Sequence, residues 1–294
     1  MTDITAPPAT GVVVAQPGYS AELPPWRLLL RRPTFLVGAA ILLFWVVCAI
    51  FGNAIAPHDP LAQQLLATNQ PPSAAHWFGT DQLGRDVFSR IVAGVRYILL
   101  VSLLATVLGT VLGTAIGLVM GYLRGVADIV VGRLIEAVLA FPLVVLAFLF
   151  VVALGTSPPV IIFVVGFVFT PIIARTVRSA VLVESQLDYL SSARLLGEKP
   201  AYIMFTEITP NVLPTVLVEF TVRLGYAIFT IAALSFLGFG IQPPTPDWGA
   251  DIAANYVTLG AGYWWQTLFA ALAIASLVIA INLVTDSIEQ VLAS

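Results

Sequence analysis

The chain has 294 residues, 59% of them hydrophobic and only 10% charged, with a mean hydropathy of +0.96 and a formal net charge of −3. A soluble domain carries about 25% charged residues, so a water-soluble globule is excluded and several membrane spans are required. The small net charge offers no footprint for nucleic acid, and the single cysteine, Cys48, excludes an internal disulfide framework or a thiolate cluster.

Residues 1–33 read as a cytoplasmic tail, its first 25 residues polar, rich in Ala, Pro and Thr, and expected to be disordered. This is not a signal peptide, because the apolar run begins only after Arg31-Arg32. Trp26 to Arg32 reads as a short interfacial stretch. A membrane helix needs about 20 mostly apolar residues, and six segments qualify: 34–55, 97–123, 134–155, 157–175, 212–238 and 265–285. Trp26, Tyr97, Tyr122, Tyr263, Trp264 and Trp265 fall near their ends, where an interfacial aromatic belt belongs. The expected fold is an all-α polytopic membrane protein with six transmembrane helices.

Basic residues set the sidedness. With a cytoplasmic N-terminus, the inside holds Arg27, Arg31, Arg32, Arg124, Arg133, Arg175, Arg178, Arg194 and Lys199. The outside holds Arg85, Arg90 and Arg96, a bias of nine to three. Both termini then face the cytoplasm, the last segment being 287–294. Residues 56–96 form an extracytoplasmic loop ending in an amphipathic helix, DQLGRDVFSRIVAGVR, on which Asp86 and Arg90 are spaced as an i,i+4 pair on a solvated surface. A second outer loop, 239–264, carries no basic residue and is expected to hold turns and a short helix. His58 and His76 stand far apart and outside any ligand-spacing pattern, so no metal site is expected.

Four features fall inside the spans. Gly109, Gly113, Gly117 and Gly121 recur every fourth residue and mark a helix face for close backbone packing. Pro142 and Pro171 each remove a backbone donor and are expected to bend or open the third and fourth spans. Glu219 and Arg223 lie one turn apart in the fifth span; they read either as a mutually neutralising structural pair or as the lining of a translocation path.

The polar segment DYLSSARLLGEKPAYIMFTEITPNVLP, residues 188–214, interrupts the hydrocarbon. Val183, Leu187, Leu190 and Ala193 give helical periodicity from Val177 to Leu196. Gly197 is a C-terminal stop, and Pro200 suits the first position of a new helix. The expectation is a helix, a glycine-hinged turn, a short helix bearing Tyr202, Ile203, Phe205 and Ile208, and re-entry to the membrane at Asn211. Such an elbow suits a docking surface better than a connector. Lys199, the only lysine, is followed by Pro200, and no G-x-x-x-x-G-K-[ST] run exists, so the chain lacks that nucleotide cradle.

At these residues the sequence resembles the permease subunits of type I ATP-binding-cassette importers, whose signature loop spans 176–211 here. Ser191-Ser192-Ala193 stands for the family's Glu-Ala-Ala, Gly197 follows four residues after Ala193, and Ile208-Thr209-Pro210-Asn211 closes the motif. The serines and Thr209 depart from the pattern. HWFGTDQLGRDVFSRIVAGVR (76–96) and ALSFLGFGIQPPTPDWG (233–249) resemble the dipeptide and oligopeptide "C"-type branch, with departures at Ile231 and in the C-terminal DSIEQVLAS. The resemblance implies a transmembrane domain over 97–286 and an ATPase-coupling loop that includes Asp188, Ser191, Ser192, Ala193, Leu196, Gly197, Glu198, Lys199, Pro200, Tyr202 and Pro210. It further implies a second homologous permease, two ATPase subunits carrying ATP and Mg2+, and an extracytoplasmic solute-binding protein. The cargo implied is dipeptides or oligopeptides, with glutathione, a nickel chelate or another small solute as alternatives. From the residues alone, a secondary transporter driven by an ion gradient and a membrane scaffold remain open. An enzyme is disfavoured, because no Ser/His/Asp set, metal cluster or close carboxylate pair is evident.

Overall fold

The computed structural model describes residues 25–292; the N-terminal tail 1–24, the Trp26 side chain and the last two residues lie outside the described part. Among the described residues there is no strand, only an isolated bridge between Thr80 and Asp86. The helices are α1 (Pro25–Leu29), α2 (Pro33–Ile55), α3 (Val87–Leu123), α4 (Gly125–Leu139), α5 (Leu143–Leu154), α6 (Pro158–Glu184), α7 (Asp188–Leu195), α8 (Pro200–Tyr202), α9 (Thr209–Phe236), α10 (Trp248–Asn255) and α11 (Trp265–Leu292). Five of these stretches are long and apolar enough to cross a membrane, with Pro200–Phe236 counted as one; α4 and α5, bent by 90° at their junction, make a sixth if taken as one broken span. Leu43, Ile50, Phe51, Leu100 and Val111 are among the large apolar side chains left outward, as a lipid-facing surface requires.

The centre of the bundle is the contact between α3 and α6. A Cβ on Gly109 would come within 2.7 Å of the Gly166 carbonyl oxygen, and one on Gly117 within 2.7 Å of the Ala174 carbonyl oxygen. At Gly113 and Gly121 the obstacles are the Cβ atoms of Ile173 and Val181, at 2.6 and 2.7 Å. These four glycines therefore let two backbones meet without intervening side chains. In hydrocarbon, where burial from water gives helices no drive to associate, such close van der Waals contact is what holds them. One buried cluster joins α3, α5, α6, α7 and α9 around Val165, Phe169, Ile173 and Ile231. A second joins α2, α3, α9, α10 and α11 around Trp45, Ile228, Trp248 and Leu277. α9 contributes to both.

Several boundaries differ from the sequence reading. The second span begins at Val87, because Asp86 caps α3 by accepting from the Ser89 N–H at 2.8 Å, and the amphipathic helix and the span are one. The third span is not continuous over 134–155: Pro142 is the N-cap of α5, and the chain turns by 90° there. Proline lacks the donor and crowds the preceding turn, so the helix stops ahead of it. Pro171 has the opposite outcome, since α6 runs through it and buries it in the core. The helix expected from Val177 to Leu196 is two helices, interrupted at Ser185–Leu187, where Ser185 turns its hydroxyl back to the Val181 carbonyl at 2.6 Å. The second limb of the elbow does not end before a re-entry at Asn211; it passes through a π-turn at Ile203–Ile208 directly into α9. That turn lies just ahead of Pro210, where a strict α ladder would need an N–H that proline lacks. Trp265 is not part of an interfacial belt: it is buried and donates its indole N–H to the Thr80 carbonyl at 3.1 Å.

Gly113→Ala should destabilise the purified chain by about 1–3 kcal/mol of overpacking and so lower its thermal unfolding temperature, because its new methyl meets Ile173 and the Thr170 carbonyl. Gly132→Ala, whose nearest neighbour would be the Met120 methyl at 3.8 Å, should leave that temperature unchanged or raise it. Equal effects in a melting experiment would refute the close-packing account.

Candidate functional site

The elbow lies at the end of the bundle where α3 and α6 terminate. α7 ends in a Schellman turn: the Gly197 N–H donates to the Arg194 carbonyl at 3.1 Å and the Glu198 N–H to the Ala193 carbonyl at 3.2 Å. Gly197 has φ +78°, the left-handed region that a side chain strains. A Cβ there would touch nothing within 4 Å, so the demand for glycine is purely conformational. Pro200 opens α8, with the Ile203 N–H donating to the Lys199 carbonyl at 3.1 Å.

The elbow has two faces. Inward, Leu190, Ala193, Ile203 and Ile208 are buried in the core. Outward, Leu195 and Leu196 are 90% and 80% exposed, and Leu187, Tyr202 and Phe205 are exposed beside them. Ser191, Ser192, Lys199 and Pro200 are also exposed, and Ser192 donates to the Asp188 carbonyl at 3.2 Å, within α7. The Arg194 guanidinium sits over the Tyr122 ring at 5.3 Å, tying α7 to the end of α3.

Tyr189, which sequence reasoning did not single out, knits the elbow together. Its hydroxyl donates to Glu184 Oε1 at 2.6 Å, and Asn211 Nδ2 donates to that hydroxyl at 2.8 Å and to the Glu207 carbonyl at 3.0 Å. Burial, and then the Glu184 carboxylate that accepts its proton, push the Tyr189 phenol up to about 12. One side chain thus joins the end of α6 to the start of α9. Nearby, Arg178 grips Asp128 through two hydrogen bonds of 2.6 and 2.7 Å, holding α4 against α6.

Within α9, Arg223 Nε donates to Glu219 Oε1 at 2.8 Å, and its guanidinium lies 5.1 Å from the Tyr226 ring centroid. The pair is formed, with Glu219 buried. Pro142 is exposed at the 90° break and Pro171 is buried in α6, so these four residues are spread over three elements. The next outward positions on α9, Tyr226 and Phe229, are exposed.

The opposite end is a tightly bonded cap made from residues 56–86 and 239–266. Arg90 is not half of a solvated pair with Asp86. It reaches across to Asp251 on α10, with Nε at 3.0 and 3.1 Å from the two carboxylate oxygens, and donates from Nη1 to the Pro60 carbonyl at 3.1 Å. Both members of this ion pair are buried. Asp86 is buried too and takes His76 as its partner, Nδ1 to Oδ1 at 2.8 Å. His58 lies beside them, so the premise that the histidines stand apart from each other and from a carboxylate fails in three dimensions. Trp248 donates to the Ile91 carbonyl at 2.9 Å, and Gln266 to the Asn69 side chain at 2.7 Å. None of these long-range partners falls at a local spacing.

A bundle of five or six apolar spanning helices, with a polar-bonded cap at one end and an elbow at the other, is the architecture of a polytopic membrane protein. The sequence profile described as "Binding-protein-dependent transport system inner membrane component" matches residues 113–294, and that described as "N-terminal TM domain of oligopeptide transport permease C" matches residues 25–72. The chain is 39% identical over 273 residues to the dipeptide transport system permease protein DppC of Escherichia coli K12, covering 91% of each chain. It is 34% identical over 279 residues to the DppC protein of Bacillus subtilis, covering 95% of this chain and 87% of that one. It is 35% identical over 272 residues to the glutathione transport system permease protein GsiD of Pectobacterium atrosepticum, covering 91% and 89%. The chain therefore belongs to the permease subunits of binding-protein-dependent ATP-binding-cassette importers, in the dipeptide/oligopeptide C-type branch.

Asp247 caps α10, accepting from the Ala250 N–H at 2.9 Å and from the Ser235 hydroxyl at 3.1 Å. Burial is the main cause that lifts its carboxyl from an ordinary 3.8 to about 6, with Asp251 adding repulsion. The folded state then holds a proton that the unfolded chain has released, so this group's contribution falls as pH rises from about 4 to 6. The melting temperature should decline over that interval, and the decline should be shallower in Asp247→Asn. An unchanged slope in the variant would show that Asp247 titrates normally.

Proposed function

We propose that this chain forms half of the translocation pathway of an ATP-driven importer of dipeptides or oligopeptides, and that its elbow docks onto a separate ATPase subunit. The observation that carries this reading is the outward apolar tip made by Leu195, Leu196, Tyr202 and Phe205. Leu195 and Leu196 lie on the α7 limb, outside the five long apolar helices, and Tyr202 and Phe205 lie at the very start of the Pro200–Phe236 stretch, while the inner face of the same elbow is anchored in the core. Exposed apolar clusters of this kind mark interaction surfaces. The Ser191-Ser192-Ala193 and Gly197 motif lies on that elbow.

The elbow faces the cytoplasm in this reading. Arg124, Arg133, Arg175, Arg178, Arg194 and Lys199 gather at its end. At the other end Arg85 and Arg90 are paired with Asp81 and Asp251, and the larger number of arginines and lysines at the elbow end supports this sidedness. The capped end would receive an extracytoplasmic solute-binding protein, and both termini would be cytoplasmic. ATP and Mg2+ bind partner subunits, two ATPases in all; this chain performs no chemistry of its own. Cargo passes between this chain and a second, homologous permease, with the outward face of α9 around Arg223, Tyr226 and Phe229 nearest the path. Closure of the ATPase pair tilts the elbow, and the bundle alternates between two states biased by ATP at one end and loaded binding protein at the other. The likeness to a glutathione permease supports glutathione as the alternative cargo.

Gly197→Val should abolish ATP-dependent uptake of labelled dipeptide by the reconstituted complex, since the left-handed turn costs a side chain about 1–2 kcal/mol and misdirects the tip. Leu196→Asp should do the same by charging the docking surface, while the isolated chain melts as the parent does. Full uptake by both variants would overturn the docking assignment. Uptake abolished by a protonophore and indifferent to ATP would instead establish a secondary transporter.

A further inference from the structure

Three side chains that the transport reading leaves unused converge in the outer cap. His58 follows α2, His76 lies in the loop, and Asp86 caps α3; one ligand atom from each lies within 4.8 Å of the other two. His76 Nδ1 is 2.8 Å, and His58 Nδ1 3.7 Å, from the same oxygen, Asp86 Oδ1. The two imidazole rings are 4.7 Å apart and tilted by 34°. His58 Nδ1 is shielded from solvent yet has no hydrogen-bond partner. An orphaned buried nitrogen is costly to keep.

We propose that His58, His76 and Asp86 bind a divalent transition-metal ion of the zinc type. Two imidazoles and one carboxylate are a donor set suited to such ions, whereas Ca2+ and Mg2+ require more oxygen ligands. A tetrahedral ion at the usual 2.0–2.1 Å from nitrogen and oxygen holds neighbouring ligand atoms about 3.3 Å apart. The observed 2.8 and 3.7 Å fall on either side of that spacing. Small side-chain shifts would admit the ion between His76 and Asp86, the ring proton of His76 moving to Nε2.

The surrounding shell is already in place. Asp86 Oδ2 accepts from the Ser89 N–H at 2.8 Å and the Ser89 hydroxyl at 2.7 Å. The same hydroxyl accepts from the His58 backbone N–H at 3.2 Å, so one serine orients two of the three ligands. The side chain of His58 is 34% exposed, which leaves one side of the site open to a water or an incoming donor. The bound ion would tie the exit of the first span to the start of α3, fixing the cap whatever solute the permease carries.

The test uses the full chain in lipid nanodiscs, carrying an affinity tag without histidine, stripped by chelator and titrated with Zn2+ alone. One equivalent of zinc should bind and raise the melting temperature, and Mg2+ should not reproduce the rise. His58→Gln should melt like the parent without metal, because the His58 ring makes no hydrogen bond in the fold. Its zinc affinity should fall by at least the roughly 10- to 100-fold that loss of an outer-shell partner costs. As a measurement that needs no variant, Co2+ in the unmodified chain should give the intense visible bands of a four-coordinate site. Absence of stoichiometric zinc, equal binding by His58→Gln, equal stabilisation by Mg2+, or only the spectrum of aqueous Co2+ would each overturn the proposal.

Discussion

The close approach of α3 and α6 is the constraint from which the rest of the molecule follows. Four positions without side chains bring the α3 backbone onto the Gly166 and Ala174 carbonyls and the Cβ atoms of Ile173 and Val181. Between helices in lipid there is no hydrophobic drive, so a poor fit here could not be compensated by squeezing out water. Once the two helices are joined along their length, their ends are fixed relative to each other. Tyr122 and Val181 then form the floor on which the elbow rests, through Arg194 above the ring and Leu190 in the core. At the far end, the start of α3 is placed to receive Asp251 on Arg90 and Trp248 on the Ile91 carbonyl.

The two ends are built with different physics. The cap is a network of buried ion pairs and hydrogen bonds in which Arg90, Gln82, Trp248 and Gln266 each reach a partner remote in the chain, and such networks specify one arrangement. Removing one member of a buried pair such as Arg90–Asp251 typically costs about 3–5 kcal/mol, because the other charge is stranded. The elbow end is held by apolar contacts on its inner face, by Tyr189 and by Arg194, while its outer face exposes Leu195 and Leu196 beside Ser191, Ser192 and Lys199. The family is one of binding-protein-dependent transport systems, and the two ends differ as the polar-bonded cap and the apolar-tipped elbow.

Much of this was legible in the sequence wherever the physics is local. Hydropathy located the spans, glycine spacing marked the α3 face, and the Gly197 stop with the Pro200 start drew the elbow. What escaped were features decided by partners remote in the chain. Asp86 and Arg90 have the spacing of a surface pair, but each finds its partner elsewhere, Asp86 at the His76 ring and Arg90 at Asp251. His58 and His76 meet only because the loop folds back on α3. Pro142 and Pro171 are chemically identical, yet one breaks its helix and the other is carried through within a packed core; residue type alone does not separate the two outcomes. Tyr189 gave no signal at all, since its three partners belong to the neighbouring helices α6 and α9 and to the π-turn between α8 and α9.

The continuity of the elbow with α9 has a mechanical consequence. Pro200 to Phe236 is one helical run of 37 residues, with a π-turn but no break between the tip and the far side of the bundle. At 1.5 Å per residue it is a crank about 55 Å long. An angular displacement of about 10° imposed at Phe205 would sweep the opposite extremity through several ångströms, in the reverse sense if the pivot lies midway.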